Sequence, residues 1–150
     1  HAAWGAESGV LLIAGTGSLV FGRTETGETV RAGGWGTALG DAILYGVSSL
    51  ETNKFVSDRR VIDLSADGSD KDGLDAVVGR AQALARRITV NGLPIVGEWP
   101  ELEIFFKENV IGGPGAFYVP AYDFRNFEIA VRKKLIREIV GYDNVATAGR

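Results

Sequence analysis

Thr37 and Asp67 are the two side chains in this 150-residue chain whose types and setting suit a hard cation. Thr37 opens a helical pattern and Asp67 closes a short apolar strand, so a hydroxyl and a carboxylate oxygen stand where magnesium, calcium or manganese would be held. Both residues also suit plainer work, Asp67-Gly68 as a turn and Thr37 as a helix cap. Asp70 and Asp72 follow Asp67 closely, and would either add oxygens to such a site or lie as solvated loop charges. His1 is the single histidine and there is no cysteine, which excludes a Ser-His-Asp triad, a thiolate zinc site and a disulfide framework. Arg132-Lys133-Lys134 is expected on the solvated side of an amphipathic helix.

The elements that would position these residues follow from periodicity. Val10 to Ile13 and Leu19 to Phe21 are short apolar strands about the Gly15-Thr16-Gly17-Ser18 turn, and Thr29 to Arg31 makes a third, giving an antiparallel meander. From Thr37 the period changes: Leu39, Ile43, Leu44, Val47 and Leu50 mark one helix face. Val61 to Leu64 is a β-branched strand ending in Ser65-Ala66-Asp67-Gly68. A helix over Leu74 to Arg87 is expected to bury Val77, Val78, Ala81, Leu84 and Ala85. Ile88 to Val96 is a strand in which Asn91-Gly92 would make a bulge or kink. Pro100 to Asn109 is a short helix, Gly112 to Gly115 a loop and Ala116 to Val119 a strand. The final helix is capped by Asp123, lined by Phe124, Phe127, Val131, Leu135 and Ile139, and ended by Gly141. Alternating helices and strands after Thr37 predict an α/β fold, with a mainly parallel sheet and helices on both faces.

Composition bounds the function. A 45% hydrophobic content supports one sizeable core, and a net charge of -3 with pI near 5.2 provides no basic field for nucleic acid. No apolar run approaches the roughly 18 residues of a spanning helix, so membrane insertion is not expected. The absence of methionine and the start at His1 suggest a fragment or a processed product. Trp35 and Trp99 would be buried or would anchor a partner surface.

Two families are resembled by different parts of the chain. Arg59 to Gly68, Ile88 to Ile95 and Asn109 to Phe117 occur in the same order in a von Willebrand factor type A-like family, domain of unknown function 1194, and residues 36–140 resemble its carboxyl-terminal part. The resemblance implies a Rossmann-like domain with a metal-ion-dependent adhesion site, and matches Thr37 and Asp67 to two of its ligand positions. The Asp-x-Ser-x-Ser loop of such sites is missing: Ala14-Gly15-Thr16-Gly17-Ser18 keeps the hydroxyls but has Ala14 in place of the carboxylate. A site lacking that charge is expected to bind a divalent cation weakly or not at all. Residues 1–41, through Gly9 to Ser18 and Ala32 to Gly36, resemble the phosphate-binding hairpin of the N-acetylglucosamine kinase and benzoyl-CoA-reductase-activating ATPase group, of the actin-like fold. That resemblance implies that Gly15, Thr16, Gly17 and Ser18 hold the phosphates of ATP. After Asp41 the group's Glu-Gly-Ser continuation gives way to Ala42-Ile43-Leu44.

The chain therefore divides into a kinase-like hairpin segment (1–36), a partial von Willebrand A-like domain (37–140) and a tail (141–150). The expected role is binding rather than catalysis, with magnesium or calcium at Thr37 and Asp67 completed by a protein partner or an acidic ligand. The alternatives are a sugar kinase or ATPase fragment, and a recombined chain without a selected function. The first reading implies a periplasmic or extracellular compartment and the kinase reading a cytoplasmic one.

Overall fold

In a computed structural model, residues 9–13, 19–23, 29–33, 38–52, 59–69, 73–97 and 99–140 are described, with side chains from 38 onward except at 124, 125, 139 and 140. The elements run β1 (Gly9–Ile13), β2 (Leu19–Arg23), β3 (Thr29–Gly33), α1 (Leu39–Thr52), β4 (Arg60–Ala66), α2 (Ala76–Ala85), β5 (Ile88–Pro94), α3 (Glu101–Phe105), a π-helical turn (Phe106–Val110) and α4 (Phe124–Val140). The strands form one sheet in the order β3-β2-β1-β4-β5. Strands β1 with β4 and β4 with β5 are parallel, whereas β2 pairs antiparallel with both β1 and β3. The class is α/β, and among the described strands parallel and antiparallel pairings are equal in number.

Alternation along β4 decides which helices cover which side. Ile62, Leu64 and Ala66 share one core with Leu39, Ile43 and Val47 of α1, Ala76 and Ala83 of α2, Val90 of β5, and Leu102, Phe106 and Val110. Asp63 and Ser65 point the other way and are buried too, on the side where α4 lies. There a smaller core joins Leu93 of β5 to Ala121 and to Ala130, Phe127 and Val131 of α4.

Glycine sets the approach of α1 to α2. A Cβ on Gly79 would lie 2.6 Å from the Gly40 carbonyl oxygen, so the two helices meet backbone to backbone. Consequently α2 turns Ala76, Gly79 and Ala83 inward, and the expected inner stripe is reversed: Val77, Val78, Ala81, Leu84 and Ala85 are exposed. The close contact selects small residues over large apolar ones.

Gly92 makes no bulge. Its neighbours pair in unbroken register, Asn91 with Asp63 and Leu93 with Ser65, and its missing side chain makes room for Phe106, whose Cδ1 would lie 2.6 Å from a Cβ there. The expected helix over Pro100 to Asn109 is α3 followed by the π turn, in which the Ile111 amide donates to the Phe106 carbonyl at 3.0 Å. The expected strand over Ala116 to Val119 is reduced to isolated bridges, Gly92 with Tyr118 and Ile95 with Ala121. Gly113 and Gly115 have positive φ, and Pro114 and Pro120 lack an N–H, so this segment cannot keep a full ladder against β5. Asp123 does cap α4, accepting from the Asn126 amide at 2.7 Å.

Candidate functional site

Asp67 stands exposed immediately past the carboxyl end of β4. In open sheets ligands approach from this end. The loop that follows is tied to the start of α1: the Gly40 amide donates to the Leu74 carbonyl at 3.1 Å, and the Leu74 amide donates to Asp41 Oδ2 at 3.1 Å. Asp75 then caps α2 by accepting from the Val77 amide at 2.9 Å. The amino end of α1 and the loop after β4 are thus one connected rim.

Thr37, Asp70 and Asp72 lie outside the described residues, as do Gly15, Thr16, Gly17 and Ser18 in the connection from β1 to β2. Asp67 therefore supplies the single described oxygen donor among the sequence-derived cation ligands. Among the described residues no group of three or more His, Cys, Asp or Glu side chains could hold a metal ion. Calcium and magnesium each take at least about six oxygens, so the described donors do not make a complete cage.

Sequence reasoning missed a buried polar cluster beneath α4. Lys134, expected in solvent, is 4% exposed and forms an ion pair with Asp63, itself 6% exposed. Lys134 Nζ also lies 3.5 Å from Glu138 Oε1, and Asn91 Nδ2 donates to that same oxygen. Asn91 Oδ1 accepts from the Phe117 amide at 2.9 Å, so the strand-borne amide is satisfied on both sides. Arg59 closes the outer edge with Nη2 at 3.2 Å from Glu138 Oε2 and Nη1 at 2.9 Å from the Glu138 carbonyl. The Phe117 ring lies under the Arg137 guanidinium at 4.2 Å and under Lys134 Nζ at 5.4 Å.

Burial, and then the charge of Asp63, push the Glu138 carboxyl above its ordinary value, while Lys134, the Asn91 bond and Arg59 pull it back. With Lys134 buried against Asp63 and Asn91 bonded to Glu138, the cluster ties α4 to the sheet. The signal was present in the sequence. Phe127, Ala130, Val131, Lys134 and Glu138 follow helical three- and four-residue steps, so Lys134 falls within the inner stripe.

A second polar group lies nearer the surface. Glu103 accepts from the Tyr118 hydroxyl at 3.1 Å and from the Tyr122 hydroxyl at 3.2 Å. Burial first and Glu103 second raise the Tyr118 hydroxyl pKa, and the Glu103 charge raises that of Tyr122, so both remain protonated donors.

Residues 19–143 match the family described as "Protein of unknown function (DUF1194)". The chain belongs to this family. The DUF1194 match takes in β2 and β3 as well as everything from α1 to α4. An N-acetylmuramic acid/N-acetylglucosamine kinase from Clostridium acetobutylicum is 48% identical over 35 residues, which is 23% of this chain and 11% of the kinase. No solved structure matches the chain. No helix among the described residues is long and apolar enough to cross a membrane.

Proposed function

We propose that this DUF1194 chain is a binding module with a von Willebrand A-type, Rossmann-like layout, whose ligand-facing rim is built from the start of α1 and the loop after β4. The connection of Gly40 and Asp41 to Leu74 carries the reading, because it draws the segment that begins just after Thr37 to the loop that begins at Asp67. On this reading Thr37 and Asp67 supply two oxygens to magnesium or calcium, water fills other positions, and an acidic group of a protein partner or ligand completes the coordination. With Ala14 in place of a carboxylate, the free domain holds the cation weakly. A periplasmic or extracellular compartment, where calcium is plentiful, suits such a site.

Calorimetric titration with calcium or magnesium tests this. The expected result is a dissociation constant above about 1 mM, with the heat lost in Asp67→Ala. Heat that Asp67→Ala leaves unchanged would overturn the assignment, and binding well below about 1 mM would overturn the weakness.

A second reading, compatible with the 48% identity to a sugar kinase over 35 residues, is that Gly15, Thr16, Gly17 and Ser18 bind nucleotide phosphate. Under it, ATP with magnesium raises the melting temperature and Gly17→Val abolishes the rise. No rise would remove it.

A further inference from the structure

The outward face of α2 carries an unusual load for a surface helix. Val77 is 38% exposed, Val78 44% and Leu84 39%. With Ala81 and Ala85, also exposed, they make a continuous apolar stripe opposite the small residues that meet α1. Among the described residues of α4, exposed Ile129 and Ile136 are separated by exposed Arg132 and Lys133. The two arginines nearest the α2 stripe are drawn away from it by their own chain. Arg80 donates to the Glu108 carbonyl at 2.6 Å, and Arg86 pairs with Glu51 at 3.0 Å and Gln82 at 2.7 Å.

We infer that this stripe is a homodimer contact, in which α2 of one copy lies antiparallel against α2 of a second about a two-fold axis at Ala81. Pattern and charge both select this occupant. Ala81 is the midpoint of the stripe and its smallest kind of side chain, so two helices can approach closely there. An antiparallel turn about it sets Val78 against Leu84 of the second copy and Val77 against Ala85, large against large on one flank and large against small on the other. Asp75 stands exposed at the amino end of α2 and Arg87 exposed at the carboxyl end. Antiparallel alignment brings these opposite charges together at both ends and opposes the helix dipoles, whereas parallel alignment would stack like on like. Two ten-residue helices make a short contact beside the roughly 1,200 Å² that stable complexes bury. The dimer is therefore weak and concentration-dependent.

The chain has no cysteine, so Ala81→Cys introduces a single thiol at the axis. With oxidised glutathione as oxidant, Ala81→Cys should give disulfide-linked dimer at least about tenfold faster than Ile129→Cys. Sedimentation of the unmodified chain should show dimer growing up to about 1 mM, and Ala81→Glu, on an exposed position with unchanged circular dichroism, should be monomeric. Equal cross-linking rates, monomer at every concentration, or a dimer that Ala81→Glu leaves intact would each overturn the assignment.

Discussion

Replacing Lys134 by Met tests the lock beneath α4. Methionine keeps the length and apolar stem of the side chain and removes its charge, leaving Asp63, 6% exposed, beside Glu138 with no buried cation between them. Breaking a buried pair in this way costs about 3–5 kcal/mol, because the surviving charge stays desolvated. At about 2–4 °C per kcal/mol for a chain of this size, the melting temperature should fall by about 6–20 °C. Arg59 offsets little of that, as its side chain is 58% exposed. Urea unfolding followed by circular dichroism gives the free energy directly. The pair Asp63→Val with Lys134→Met should recover most of the loss, since apolar replacement of both partners leaves no orphan charge. A single-variant cost below about 1 kcal/mol, the range of solvent-exposed pairs, would refute the reasoning, as would a double variant no better than the single one.

Other consequences are independent of that one. Unfolding releases the proton that folded Glu138 retains above its ordinary value of 4.5, so stability should decline as pH rises from there. Glu138→Gln should flatten that decline, and an unchanged slope in the urea midpoint would show that burial does not set it. Gly79→Ala gains helix propensity of about 1 kcal/mol yet drives a methyl into the Gly40 carbonyl, so the net effect should be a loss of about 1–3 kcal/mol; a stabilised variant would contradict the close approach of α1 and α2. Arg87 holds the left-handed position after α2 with φ of 57°, so Arg87→Gly should stabilise by roughly 0.5–1 kcal/mol in thermal melts. A loss would show that the arginine side chain contributes more than its backbone strain costs.

The sequence revealed the elements more fully than their facing. The strand β4 and the apolar spacing of α1 were legible because β-branched runs and three-to-four spacing report burial directly when the buried residues are large. On α2 the same rule selected the wrong face. Two glycines and two alanines occupy the close α1 contact, and only the packing partner reveals that small residues are there to be covered. Lys134 escaped for the converse reason: its type indicates solvent, whereas its position between Val131 and Glu138 indicates the interior, and the matching Asp63 lies 71 residues away. Gly92 looked like a turn residue because Asn-Gly usually is one, while its cause was Phe106 packing across the strand. Asp67 at the end of its strand was legible from the Asp-Gly turn alone.

Binding at the rim after β4 is tested most directly by titrating isotope-labelled protein with manganese, which takes oxygen ligands as magnesium does and broadens nearby resonances even when it binds weakly. The amides of Asp67, Gly68 and Ala38 should broaden before those near other exposed carboxylates such as Glu101 and Glu128, and Asp67→Asn should remove the preference. Broadening spread evenly over the exposed acids, or centred away from Asp67, would contradict the assignment.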